Sequence, residues 1–238
     1  MMEEIVKASP IISGHRALEV GCGTGIATKL FAERDYSITA LEPGESLIRE
    51  AKRTVQSNPA IQFINQTLEN WPLENEAFDL VFSAEAFHWV DKSIGYTKVC
   101  QALKKRGVFA LFWNLHADEN TPVNDAILET HYRICPKLYA KKRDYKMEEL
   151  AQHHLSELKE SRQFDSIREF RYPWEDVLST ESYIQLLNTY SDYRVLAPKQ
   201  REDLFREIRK ILDAAGGTVT KQYVTLLLLT QKNGFNPP

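Results

Sequence analysis

Arg16-Ala-Leu-Glu-Val-Gly-Cys-Gly-Thr-Gly25 is the stretch from which the fold of this 238-residue chain is read. Ala17–Val20 reads as a short buried strand, and glycines follow at 21, 23 and 25. Behind them, Ile26–Arg34 carries apolar residues at helical spacing, Ile26, Leu30 and Phe31 among them. A strand therefore feeds through a glycine turn into a helix. Glycine lets the backbone bend tightly and come close to a ligand where a Cβ would intrude. The helix start behind it offers unpaired N–H groups to whatever sits on the turn.

The rest of the chain repeats that rhythm. Ser37–Leu41 is a second strand, stopped by Pro43 and Gly44, and Leu47–Arg53 is the helix after it. Ile61–Ile64 and Phe78–Phe82 are the third and fourth strands. Asp91 is a candidate N-cap for a helix through Leu103, with Lys104–Gly107 as its basic end. Val108–Trp113 is a continuous apolar run, as expected of a strand buried on both faces. Strands alternating with helices predict an α/β fold, a doubly wound and mostly parallel sheet.

Past Asn114 the rhythm changes. Thr121-Pro122 opens a helix to about Tyr139, and another helix runs over Met147–Glu160. This is a helical insert over 115–163, a candidate substrate cap within a single domain over 1–238. A strand over Ser166–Tyr172, helices over Ser182–Tyr190 and Pro198–Ala214, and a last strand over Thr220–Leu229 follow.

Composition narrows the function. Hydrophobic residues make up 43% and charged residues 26%, an ordinary globular balance. A net charge of −3 supplies no basic field for nucleic acid. Cys22, Cys100 and Cys135 lack metal-ligand spacing, which argues against a zinc site or a disulfide framework. The longest apolar run, Val224–Leu229, is too short to span a bilayer, and no leader is recognisable. A cytoplasmic protein with no membrane or nucleic-acid partner and no metal is expected, its oligomeric state open.

The glycine turn does not fit a dinucleotide fingerprint, whose third glycine is absent, nor a P-loop, since no Gly-Lys-Ser/Thr follows. Glu19-x-Gly21-x-Gly23-x-Gly25 instead resembles the first motif of class I S-adenosylmethionine (SAM)-dependent methyltransferases. Ligands of open α/β sheets bind at the carboxyl ends of the strands, so the residues there are the ones to weigh. Glu42 ends the second strand, where a carboxylate can accept hydrogen bonds from both hydroxyls of a ribose. After the third strand, Thr67-Leu68-Glu69-x-x-Pro72 resembles the family's adenine-reading segment, with Thr67 in place of its usual acid. After the fourth, Ser83-Ala-Glu-Ala-Phe-His-Trp-Val-Asp91 is similar to the methyltransferase type 11 and trans-aconitate methyltransferase-like branch. The Asn/Asp-Pro-Pro-Tyr/Phe segment typical of nucleobase-amine and protein-amide methylation is absent there.

The resemblance implies a Rossmann-like, seven-stranded sheet. It implies SAM as cofactor, with S-adenosylhomocysteine (SAH) as product. Glu19, Gly21, Cys22, Gly23, Gly25, Glu42, Pro43, Thr67, Leu68, Ser83 and Ala84 are then the cofactor residues. His88 and His116 are candidate bases because histidine titrates near neutrality. Trp89, Trp113, Asn114 and Arg133 are candidate acceptor contacts, the acceptor being a small molecule with carboxylates in view. Packing beneath the following helix is the plainer reading of Phe87 and Trp89, and a solvated helix face that of the insert's basic residues. Many relatives fold a longer N-terminal helix over the cofactor. Here the first strand starts near the chain's beginning, so either a truncated form or a less covered cofactor is expected. Two other functions use the same residues: SAM or SAH binding without catalysis, and another group transfer such as aminopropyl transfer.

Overall fold

In the computed structural model of the chain, the described residues are 1–9, 15–56, 58–117, 121–139 and 146–232. The strands are β1 (Arg16–Val20), β2 (Ser37–Leu41), β3 (Ile61–Ile64), β4 (Phe78–Ala84), β5 (Leu103–His116), β6 (Phe164–Ser179) and β7 (Thr218–Lys232). They form one sheet in the order β3-β2-β1-β4-β5-β7-β6. Pairings β1–β2, β2–β3, β1–β4 and β4–β5 are parallel. Along the β5–β7 pairing, Asn114 meets Thr225 and Ala117 meets Gln222, so the numbering runs in opposite directions and this pairing is antiparallel. The chain reverses direction across the sheet between β1 and β4, the switch point at which ligands bind in such folds.

The helices are α1 (Met2–Ala8), α2 (Ile26–Ala32), α3 (Glu45–Thr54), α4 (Lys92–Ala102), α5 (Pro122–Ile134), α6 (Pro136–Tyr139), α7 (Met147–Glu160), α8 (Thr180–Thr189), α9 (Ser191–Arg194) and α10 (Pro198–Ala214). Their starts follow capping chemistry. Asp91 accepts the Ser93 N–H at 2.9 Å, and Thr121 accepts the Asn124 N–H at 3.2 Å ahead of Pro122.

The helix expected to run from Pro122 to about Tyr139 is two helices. Pro136 has no N–H to donate and disfavours the helical region for Cys135, which sits at φ −124°, ψ 50°. Similarly, Lys104–Gly107, expected to end a helix, belong to β5. Phe78 pairs with Leu103 while Leu80 pairs with Val108, so the extra residues are taken up as a bulge with Arg106 at φ +64°.

The chain forms two compact units. The first comprises Met1–Asn114, Ala151–Tyr172 and the chain from Thr225; the second comprises Leu115–Leu150 and Pro173–Val224. The expected insert thus divides, 115–150 lying in the second unit and 151–163 in the first. The first unit's core gathers Ala17, Phe31, Ile38, Ala40, Leu80, Phe82, Val108, Ala110, Leu227 and Leu229, with Ile5 of α1 fully buried among them. Phe31 stacks on Phe82 at 3.9 Å, which fixes α2 on the sheet and so fixes the glycine turn before it. In the second unit, Leu204, Phe205, Ile208 and Leu212 form the buried stripe of α10, against Ile127 of α5 and Ile184 and Leu187 of α8.

Candidate functional site

The turn after β1 is held by the next strand. The Leu41 carbonyl accepts both the Gly21 N–H (2.9 Å) and the Cys22 N–H (3.0 Å), and Gly25 N–H donates to the Cys22 carbonyl at 2.9 Å. All three glycines have positive φ: +73° at Gly21, +53° at Gly23 and +81° at Gly25. The three differ in their surroundings. A Cβ on Gly21 would lie 2.4 Å from the Ala86 Cβ, and one on Gly25 would lie 3.0 Å from Ala51. A Cβ on Gly23 would meet nothing within 4 Å among the described residues. Gly21 and Gly25 therefore permit close packing, whereas Gly23 keeps a space open. Cys22 is buried between them, and burial raises its thiol's pKa, leaving it the neutral form.

Glu19 and Glu42 flank this turn. Glu19, on β1, is completely buried. Its Oε2 accepts the Thr28 hydroxyl at 2.6 Å, while Oε1 has no hydrogen-bond partner among the described residues. Burial pushes its pKa up to about 8; the Thr28 hydrogen bond opposes this and the charge of Glu42 adds to it. Glu42 closes β2 with its carboxylate turned back over the glycines. Oε2 accepts the Gly23 N–H at 3.0 Å and Oε1 the Gly44 N–H at 2.8 Å. Each oxygen keeps a lone pair for a further donor. Asn65, just past β3, fixes this corner by donating to the carbonyls of Glu42 (3.0 Å) and Pro43 (2.9 Å).

Further along the strand ends, Leu68 is buried and Thr67 half-buried. The Thr67 hydroxyl accepts the Asn70 N–H at 3.3 Å and bonds the Glu69 carboxylate, so it is engaged within its own turn. Ser83, buried near the end of β4, donates to the Val20 carbonyl at 2.7 Å and ties β4 to β1. Ala84, which ends β4, is half-buried. Phe87 packs on Tyr96 and Phe109, beneath α4. His88 and Trp89 face outward, Trp89 being 80% exposed.

Trp113 is buried near the end of β5 and stacks on His154 of α7, rings 3.9 Å apart and 2° from parallel. The Trp113 Nε1 and His154 Nδ1 atoms are buried and lack hydrogen-bond partners among the described residues. Glu157 Oε2 stands 3.8 Å from that Nδ1. Burial pulls the His154 pKa down to about 4, with His153, His88 and Lys92 acting in the same direction. His88, whose ring is 6.5 Å from that of His154, is also shifted down by burial, then by Lys92, against Glu157. The Asn114 N–H donates to Glu85 Oε1 and its side-chain oxygen accepts the Thr225 hydroxyl at 2.6 Å. His116 and Arg133 belong to the second unit, His116 against Tyr223 with rings 4.9 Å apart and Arg133 exposed on α5.

Sequence reasoning passed over Thr28, Asn65, Glu85 and His154. Thr28 stands in the first turn of the helix behind the glycines, and Asn65 and Glu85 directly follow strands, positions that carry a readable signal. His154 carried none, because its partner Trp113 is distant in sequence.

A glycine turn after β1, an acid at the end of β2 and the strand order 3-2-1-4-5-7-6 define the Rossmann-like methyltransferase fold. Two solved structures show the same fold. The YcgJ protein of Bacillus subtilis superposes with a TM-score of 0.61 at 17% identity, covering 98% of this chain and 97% of that one. Phosphoethanolamine N-methyltransferase 2 of Haemonchus contortus, solved with SAH and phosphomonomethylethanolamine, gives 0.55 at 15% identity, covering 97% and 52%.

Residues 18–111 match the family described as methyltransferase domain. An uncharacterized methyltransferase of Mycobacterium tuberculosis is 29% identical over 102 residues, 43% of this chain and 41% of that one. Malonyl-[acyl-carrier protein] O-methyltransferase of Acetivibrio thermocellus is 39% identical over 97 residues, 39% and 33% of the two chains. Trans-aconitate 2-methyltransferase of Rhizobium rhizogenes is 26% identical over 111 residues, 45% and 42%. Each match spans less than half the relative's length. The resemblance to the type 11 and trans-aconitate branch is borne out. Among the described residues, no helix is long and apolar enough to cross a membrane, and no group of three His, Cys, Asp or Glu side chains is placed to hold a metal ion.

Proposed function

We propose that the chain is a SAM-dependent methyltransferase acting on a small-molecule acceptor. The observation that carries this reading is the pairing of Glu19's unpartnered, buried Oε1 with the open space at Gly23. A buried polar atom without a partner is costly, and a ligand carrying an ammonium would supply the charged N–H donor that draws this carboxyl into its ionised form. Gly21, Cys22, Gly23 and Gly25 would hold the amino-acid end of the cofactor, with Glu19 beneath. Glu42 would use its remaining lone pairs for the two ribose hydroxyls, with Pro43 alongside. Leu68 would pack on the adenine and Thr67 would offer its backbone. Ser83 and Ala84 would close the site from β4.

Bound there, SAM supplies an electrophilic methyl group. The chain's own part is to bind, align and exclude water, because in-line displacement gains most from positioning. Trp89, Trp113 and Asn114 are the proposed acceptor contacts and His88 the proposed base, all in the first unit; for Arg133 and His116, in the second, the same roles are proposed from the sequence alone. The names of the malonyl and trans-aconitate relatives make carboxylates the first class to try as acceptors. Binding without catalysis and aminopropyl transfer are the alternatives. A product-mass screen with SAM against carboxylic acids, phenols and amines tests the reading: a mass gain of one methyl with SAH release supports it, and SAH binding without any product favours a binding protein.

A further inference from the structure

We propose that Glu85, in place of His88 or His116, is the general base of this site and that the acceptor carries a removable proton, on a hydroxyl or an amine, in place of the ionised carboxylate that the relatives' names suggest. This rests on the methyl-transfer reading and narrows it. Three observations place Glu85. It is the first residue after β4, at the switch point, and its neighbour Ala86 lies directly against Gly21 of the glycine turn. Its backbone stands at φ +55°, a left-handed conformation that a glutamate rarely adopts and that surrounding structure must impose. Its carboxylate reaches across to β5, where Oε1 accepts the Asn114 N–H; Asn114 is itself held by Thr225.

One carboxylate oxygen is thus fixed to the sheet. The other has no hydrogen bond or ion pair among the described residues, so the group is aimed and still has capacity. The side chain is open to solvent, as a group that must meet an acceptor has to be, and the protein crowding its carboxyl still raises its pKa, in the direction that makes a carboxylate a better base near neutrality. An ionised acceptor would bring a second negative charge against it, whereas an O–H or N–H would bring the donor it lacks. In the transfer, the acceptor's heteroatom forms its bond to the methyl carbon while its proton passes to Glu85. The electron pair of the broken sulfur–carbon bond stays with sulfur, and Glu85 later returns the proton to water.

The test has two readouts. In the SAH-loaded protein, the Glu85 carboxyl carbon is followed by NMR and assigned by its absence in Glu85→Gln; catechol and propylamine are then titrated in. Separately, the methylation screen is run with both proteins. We expect that resonance to titrate above the ordinary carboxylate range and to shift with at least one probe. We expect methylation of a hydroxyl or amine acceptor, with turnover about 10²–10⁴-fold lower in Glu85→Gln while SAH affinity is kept. Glutamine can still accept the Asn114 N–H, so this variant keeps the local structure. Methylation confined to carboxylates, or a resonance that neither probe moves in a protein that binds SAH, overturns the assignment. Failure of the wild type to bind SAH overturns the methyltransferase reading instead.

Discussion

Glu19 takes the Thr28 hydroxyl at 2.6 Å on one oxygen and, fully buried, has no hydrogen-bond partner for the other among the described residues. Its pKa of about 8 lies above the ordinary 4.5, so the folded protein retains a proton that the unfolded chain releases. The linked stability is complete below the unfolded value and is lost as pH rises towards 8. At about 1.4 kcal/mol per pH unit, the loss across that window is on the order of 4 kcal/mol. Urea unfolding at pH 5, 6.5 and 8 is expected to show it, and Glu19→Gln to flatten it. An unchanged slope in the variant would remove Glu19 as the source.

Gly21 and Gly23 should respond differently to alanine. Gly21→Ala meets both a positive φ and Ala86, and is expected to destabilise the fold by roughly 2 kcal/mol or more. Gly23→Ala meets only the positive φ, worth about 1 kcal/mol, but fills the open space. Its larger effect should fall on SAM affinity, as measured by calorimetry beside thermal melts. Equal losses of stability with no change in affinity would show that the space at Gly23 is not a ligand's.

Glu42 has a structural and a proposed binding role at once, through Gly23 and Gly44. Glu42→Ala is expected to weaken SAM binding by roughly 1.5–3 kcal/mol, the usual worth of hydrogen bonds to a charged group. It should also lower the melting temperature, because two backbone N–H groups lose their acceptor. Glu42→Gln, which retains one acceptor oxygen, should fall between the two proteins in both measurements. Wild-type affinity in the alanine variant would contradict the ribose role.

His154 bends the stability profile the other way from Glu19. With a folded pKa of about 4 against an ordinary 6.5, the buried ring resists a proton that the unfolded chain accepts. Its contribution is present above pH 6.5 and is lost as pH falls towards 4, roughly 3 kcal/mol in all. His154→Phe keeps an aromatic partner for Trp113 without the titration. The variant is expected to lose less stability between pH 6.5 and 4 than wild type, and an equal loss would place the acid sensitivity elsewhere.

Local patterns made the first half of the fold legible. β1 to β4 and the helices between them are short, strongly periodic segments with glycine or proline punctuation, and Glu19, the glycines and Glu42 stand at fixed offsets from strand ends. The errors arose where a tertiary pairing overrode local signal. Lys104–Gly107 looked like a helix end, yet the β4 edge recruits them into β5. Pro136 breaks the single helix that the apolar spacing from Pro122 to about Tyr139 predicts. Thr67 looked available to a ligand because its turn partners Asn70 and Glu69 emerge only when the loop is folded. The Trp113–His154 stack joins residues 41 positions apart and follows from packing alone.

Isothermal calorimetry of the whole chain with SAH, the product form of the cofactor, tests the central claim most directly. Saturable one-to-one binding is expected, weakened about ten- to a hundredfold by Glu42→Ala, as roughly 1.5–3 kcal/mol requires. No binding of SAH by the folded wild-type protein would contradict it.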